Sequence, residues 1–310
     1  MGRCYTLDNK LVIPDTIEGL PVTELDTYTF SQTVRRREQP AVERAPAEYE
    51  GEPEMCGEAL EELTMPKHLE KVGAYAFYNC FHLKNPSCCS TVRDWGAGVF
   101  TGCTQINKLD IRIFPEEKSS FKEILSELRQ MLVVDYRDKE GKLLAKLIFP
   151  EFFEESIENT PARIIMREMH GCGHMYRYCF NGTDFQFWEY DKLLPTAEIL
   201  ESPALVCRMA LYRLYWPKGL TEEWKEEYWK YIKKHPDEAA KGLTERGERE
   251  ILSWLAEAKE TDSQMLEQMI QATAGLGDAQ VSAILMDARH KKMGAQSGDK
   301  PKPRVRTFEL

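Results

Sequence analysis

The chain has 310 residues, 41 of them basic and 51 acidic, for a formal net charge of −10, with 42% hydrophobic and 30% charged side chains. That length allows two folded domains with sizeable cores, and the composition excludes collagen-like, mucin-like and wholly disordered classes. The acidic balance argues against a broad phosphate-binding surface, and no stretch of about 18 apolar residues offers a membrane span, so neither nucleic acid nor membrane is an expected partner.

The first residues, MGRCYTLDNKLVIPDT, hold no apolar leader. A cytoplasmic location is therefore expected, with the nine cysteines reduced rather than paired. Leu11-Val12-Ile13-Pro14 opens the ordered pattern as a short apolar strand ending at proline. Val22 and Leu25 then lead to Phe30. The same sentence returns as Leu63-Thr64-Met65-Pro66, then Leu69 and Val72, then Phe77. Ala76-Phe77-Tyr78-Asn79-Cys80-Phe81-His82-Leu83 and Val99-Phe100-Thr101-Gly102-Cys103-Thr104-Gln105-Ile106 share a small apolar residue, Phe, Cys and Leu or Ile at fixed places. Thr33, Cys56, Cys80 and Cys103 are spaced by 23, 24 and 23 residues, which marks four phases, the second of them without its Phe and its strand. Leu109-Asp110-Ile111 is the strand after Cys103, and its alternation suits one buried face.

One coil of about 23 residues has no means of burying its own apolar face, whereas stacked coils bury continuous columns of Phe, Leu and Ile. The cysteines read as small apolar packers in those columns. Met65 to Leu83 resembles the BspA-like leucine-rich-repeat family, whose unit reads approximately IP-x-x-V-x-x-I-G-x-x-A-F-x-x-C-x-x-L, and the resemblance extends over roughly residues 10–112. It implies a solenoid that serves as an adhesion or interaction surface without catalytic residues. Between Thr33 and Cys56 the repeat gives way to VRRREQPAVERAPAEYEGEPEM, which reads as an exposed, partly disordered excursion over 34–55. Its Arg35, Arg36 and Arg37 offer a dock for an acidic partner, or simply a solvated loop neutralised by the acids that follow.

Phe121, Ile124, Leu125, Leu128 and Leu132 recur at helical spacing behind Ser119 and Ser120 as caps. The runs 132–136 and 143–149 around Asp138-Lys139-Glu140-Gly141 predict a β-hairpin that closes the open end of the solenoid. From Pro150 onward the pattern predicts helices, including one at 161–168 and others at 188–194, 202–215 and 221–234. Gly247 and Gly277, and Ile251 and Val281, repeat at 30 residues, which resembles ankyrin-type helical hairpins without their Thr-Pro-Leu-His phrase.

Two clusters carry chemistry. His170, Cys172, His174 and Cys179 are residue types that ligate zinc, and four of them make a closed site. All four fall within ten residues, whereas structural sites use two separated pairs, so a loop with structural His and Cys is the competing reading. Trp224, Tyr228 and Tyr231 share one helical face, suited to core packing or to an aromatic groove for a peptide. Glu151, Glu154, Glu155 and Glu158 read as carboxylates on a solvated helix.

The expected fold is α+β: a leucine-rich-repeat solenoid over 1–115, a helix and β-hairpin cap over 116–150, a mainly α-helical domain over 151–293 with ankyrin-like repeats from about 221, and a flexible tail over 294–310. The expected function is a non-catalytic protein–protein interaction module. It would bind a protein or peptide through the solenoid surface and the groove with the helical domain, with no cofactor. A zinc protein or metalloenzyme centred on His170, Cys172, His174 and Cys179 is one alternative, and an adhesin exported without a recognisable signal is another.

Overall fold

In the computed structural model, which describes residues 4–31, 55–159 and 164–296, the apolar phrases of the N-terminal third become rungs of a solenoid. β1 (Lys10–Val12) leads into a tight hairpin of β2 (Thr16–Ile17) and β3 (Leu20–Pro21), then into β4 (Glu24–Leu25). That hairpin turns at Glu18 and Gly19 with φ of +50° and +78°, the doubly left-handed backbone that a two-residue turn requires. The later coils supply β5 (Glu62–Thr64), β6 (Lys71–Val72), β7 (Asn85–Cys89), β8 (Asp94–Trp95) and β9 (Lys108–Arg112). β1, β5, β7 and β9 pair in parallel in that order, and β4, β6 and β8 form a second parallel sheet.

Alternation along the strands sends Leu63, Leu109 and Ile111 into the core, each no more than 1% exposed. Phe30, Phe77 and Phe100 stack through that core with centroid separations of 5.3 and 5.5 Å and interplanar angles of 9° and 13°. Beside them Cys80 Sγ donates to the Phe30 carbonyl at 3.5 Å and Cys103 Sγ to the Phe77 carbonyl at 3.0 Å. Backbone bonds repeat between coils: Phe30 N–H to Ala76 O, Phe77 N–H to Val99 O, Gly73 N–H to Leu25 O and Gly96 N–H to Val72 O. The glycines after β6 and β8 are sterically required. A Cβ on Gly73 would collide with the backbone of Asp26 and Thr27, and one on Gly96 with that of Gly73 and Ala74.

The stack corrects the count of coils. Phe30 lies directly against Phe77, and β1 pairs directly with β5, so among the described residues no coil stands between these two. Gly57 N–H donates to the Phe30 carbonyl, which makes Cys56 the cysteine of the coil that Phe30 opened. Thr33 and most of the 34–55 excursion, with Arg35, Arg36 and Arg37, lie outside the described residues; Met55 at its end is buried.

α1 (Phe121–Glu127) fills the last connection, followed by β10 (Leu132–Arg137) and β11 (Leu143–Phe149). The expected hairpin forms, and β10 also pairs in parallel with β9, so the cap is the continuation of the main sheet. Its outer strand is closed by Tyr190, whose hydroxyl donates to the Ile148 carbonyl at 2.7 Å and accepts the Ile148 N–H at 3.1 Å.

The described residues between 151 and 170 are not helical. β12 (Phe153–Asn159) and β13 (Ile164–His170) make an antiparallel ribbon in place of the helix expected at 161–168 and of the helical carboxylate set Glu151, Glu154, Glu155 and Glu158. Cross-strand pairs such as Ile157 with Met166 stabilise the period-two reading of this segment. Short elements follow: α2 (Gly173–Arg177), β14 (Phe180–Asn181), β15 (Asp184–Phe185), α3 (Phe187–Asp191) and α4 (Leu194–Leu200). Phe121, Phe149, Phe180, Phe185 and Tyr190 interlock there edge to face.

The chain divides into two compact units, Met1–Glu201 with Trp216–Trp224, and Ser202–Tyr215 with Lys225–Leu310. The second contains α5 (Pro203–Tyr215), most of α6 (Glu222–Lys234), α7 (Pro236–Glu245), α8 (Arg249–Glu257), α9 (Ser263–Thr273) and α10 (Ala279–Gln296). α5 packs on α7, α7 on α9, and α8 on α10, around Leu243, Leu252, Leu255, Leu266 and Leu285. Gly247 and Gly277 stand in the left-handed region at φ of +68° and +70°, one before α8 and the other before α10. Solenoid first and helices after, the architecture is α+β as expected.

Candidate interaction surface

A parallel ladder puts residues in register on one face. Val12, Thr64, Ser87, Asp110, Asp135 and Lys146 are successive partners across β1, β5, β7, β9, β10 and β11, and they form one row on the outer side of the main sheet. The next row contains Arg112 opposite Arg137. An inward row, through Leu63, Leu109, Val134 and Leu147, is apolar and buried. The same strands thus hold a uniform inside and a varied outside.

The outer rows are charged toward the C-terminal end of the sheet. Arg137 Nε donates to both carboxylate oxygens of Asp110, at 2.8 and 3.0 Å. Asp135, with its side chain only 4% exposed, is the hub of three cations: Lys108 at 3.0 Å, Arg137 at 3.5 Å and Lys146 at 3.5 Å. Lys146 also lies 5.1 Å from the centroid of the Trp216 ring. Four basic groups (Lys108, Arg112, Arg137 and Lys146) face two carboxylates, so this part of the face is positive. Among the described residues Arg112 makes no ion pair, and it borders a cleft of about 320 Å³ with Val12, Thr64 and Ser87. Toward β1 the charges balance through Lys10–Glu62 at 2.7 Å and Lys84–Glu61 at 3.1 Å.

The sequence clusters fare differently. His170 stacks on Phe153 at 4.6 Å, and its Nε2 lies 3.0 Å from Glu155 on the ribbon. Cys172 is buried, and its Sγ donates to a Glu201 carboxylate oxygen at 3.1 Å. His174 faces a separate cavity, and Cys179 Sγ donates to the Met175 carbonyl at 3.6 Å. Burial and the Glu201 carboxylate push the Cys172 thiol up, and burial lifts Cys179 to about 12, so neither thiol is activated. Among the described residues no three His, Cys, Asp or Glu side chains converge as a metal set. The glycines between them serve packing: a Cβ on Gly173 would overlap the Pro150 carbonyl, and one on Gly171 would press on the Glu151 carbonyl.

Of the aromatic set, Trp224 is half-buried, while Tyr228 and Tyr231 are 1% and 4% exposed. Both tyrosines are buried, and the Tyr231 ring lies 4.6 Å from that of His235. The surface residues missed in the sequence are Lys108, Asp110, Arg112, Asp135, Arg137 and Lys146. Their signal was present in the strict alternation of Lys108-Leu109-Asp110-Ile111-Arg112 and in one Asp set within the apolar run Leu132-Val133-Val134-Asp135.

Residues 54–128 match the family model described as BspA type Leucine rich repeat region (6 copies). No curated protein and no solved structure matches the chain. Over the matched residues the chain is similar to that repeat family, and the structure there is a solenoid of stacked, parallel-paired coils.

Proposed function

We propose that this chain is a non-catalytic protein–protein interaction module that docks a protein or peptide on the outer face of its main parallel sheet. Leucine-rich repeats of this kind are commonly interaction modules. The observation that carries the reading is the outer pair of rows, where Arg112, which makes no ion pair among the described residues, borders a cleft whose one carboxylate, Asp15, is held by Lys67, next to the Asp110–Arg137–Asp135 network. An extended partner with an acidic side chain for Arg112 and small apolar groups for Val12 and Thr64 suits that relief. The helical unit is read as an ankyrin-like array. Two stacked hairpins with left-handed glycines 30 residues apart support this.

The test is capture from native lysate by the full chain, by Arg112→Glu and by Val12→Asp. A partner retained by the wild type and lost from both variants, with unchanged circular dichroism, supports the sheet face. Equal retention by all three proteins refutes it.

A further inference from the structure

His174 is the one member of the His/Cys cluster that opens onto a cavity. The cavity holds about 240 Å³ and lies in the first unit, between α1, the start of β12, the end of β13 and α2. Its wall is cationic. Lys122 comes from α1, Arg129 from the turn after it, and Arg177 from the end of α2. Among the described residues none of these three makes an ion pair. Glu154, the one carboxylate in the lining, is engaged by Arg167 at 3.3 Å.

Arg177 is the unusual one. It is 5% exposed, and it donates to four backbone carbonyls: Leu128 at 2.8 Å, Pro150 at 2.7 Å, Gly173 at 2.9 Å and Gln130 at 2.8 Å. Those bonds fix the guanidinium and use four of its five N–H donors, but dipoles do not cancel its charge. Burial accordingly draws its pKa down to about 10, with only a longer-range pull from Cys172 and Glu151 in the other direction. Arg177 and Arg129 lie 5.0 and 5.9 Å from the centroid of the Phe152 ring, which belongs to the same lining. His174 Nδ1 is buried and has no hydrogen-bond partner. A cavity with uncancelled positive charge, an imidazole in its lining and an aromatic wall is complementary to an anion attached to a flat apolar group. Size points the same way, because about 150 Å³ suffices for a benzene ring.

We propose that this cavity binds a small aromatic oxyanion, its ring against Phe152 and its oxygens toward Arg129, Lys122 and His174. The oxyanion is a carboxylate or a phosphate monoester. The site lies apart from the sheet face and does not depend on it.

Calorimetric titration of the full chain at neutral pH and low salt, with phenyl phosphate and with benzoate, tests the assignment. Phenol serves as the ring without charge and inorganic phosphate as the charge without ring. The expected result is one saturable site for at least one aromatic anion, at least about tenfold tighter than for phenol or inorganic phosphate. Arg129 is exposed, so Arg129→Glu should keep the fold and lose at least about tenfold in affinity. Lys122→Glu repeats the test should Arg129→Glu alter the amide exchange of α1. Phe152→Leu should erase the preference for the aromatic anion over inorganic phosphate. Absence of saturation with both aromatic anions, equal binding of phenol or of inorganic phosphate, or affinity unchanged in a folded charge-reversed variant overturns the proposal.

Discussion

Phe77 is the middle ring of the internal stack, fully buried, with Phe30 at 5.3 Å on one side and Phe100 at 5.5 Å on the other. Replacing it by alanine should cost about 3–5 kcal/mol, the usual range for a buried Phe truncated in a core that relaxes only in part. Of that, each lost ring pair accounts for roughly 0.5–1.5 kcal/mol beyond area burial. Phe77→Ala breaks two such pairs and Phe30→Ala breaks one, so the middle substitution should exceed the end one by about 0.5–1.5 kcal/mol. Phe30 is the right comparison because Phe100 has a further ring contact, with Trp95 at 5.7 Å. Global melting would blend two compact units, so the readout should be local. Native-state hydrogen exchange at Gly73, Phe77 and Gly96 reports the inter-coil bonds directly. A double-mutant cycle between Phe30 and Phe77 should give a coupling near the value of one ring pair. If Phe77→Ala opens these amides no more than Phe30→Ala, or the cycle shows no coupling, the rings are neighbours in space without being partners in energy.

Asp135→Ala should destabilise the sheet by about 1–3 kcal/mol, less than for a fully buried pair because its cations are 20–38% exposed and screened. Urea titrations at low and high salt test this, and a loss that does not shrink with salt counts against a charge network. Glu127 accepts the Phe100 N–H at 3.1 Å, but burial holds its carboxyl above the ordinary range. Between that ordinary value and the raised one, the folded chain keeps a proton that the unfolded chain has lost, so stability falls as pH rises through the window. Glu127→Gln keeps an acceptor oxygen and should flatten this part of the stability–pH curve; an unaltered slope would show that Glu127 does not titrate there. Cys4 is the one half-buried cysteine of nine, and burial raises Cys179 and Cys207 to about 12. Alkylation at pH 8 followed by peptide mass spectrometry should mark Cys4 first, whereas early labelling of Cys80 or Cys103 would contradict the closed columns.

Where the sequence misled, the cause is physical. Ser31 and Met55 are separated by 23 residues, one coil's length, so an insertion inside a coil kept Cys56 in phase and passed for a repeat of its own. Only the contact of Phe30 with Phe77 exposes this, because a stack reports spatial neighbours and spacing does not. The β12–β13 ribbon was misread because Glu151, Glu154, Glu155 and Glu158 fit a helical surface as well as a strand. The decision came from partners such as Ile157 and Met166, which belong to different segments. The His/Cys cluster looked like a ligand set because its residues are close in sequence. Gly171 at φ +79° and Gly173, pressed against Pro150, turn the chain there and send the side chains to separate neighbours. The helix at 221–234 was legible because its apolar face repeats over three turns or more, whereas the one at 202–215 is buried nearly all round and was legible from its length and apolar content.

The two sides of the main sheet explain why the proposed contact belongs on the outer one. Every rung makes the same backbone bonds and buries the same kind of apolar side chain inward, through Leu63, Leu109, Val134 and Leu147. Nothing in that scheme requires the outer row to be Val12, Thr64, Ser87, Asp110, Asp135 and Lys146. Asp135 is costly to bury, and its desolvation is offset by the three cations around it. Arg112, without an ion pair among the described residues, adds a charge at the mouth of a cleft. Side chains that the ladder does not need are free to vary without disturbing the fold, and for that reason the proposed contact is placed on them.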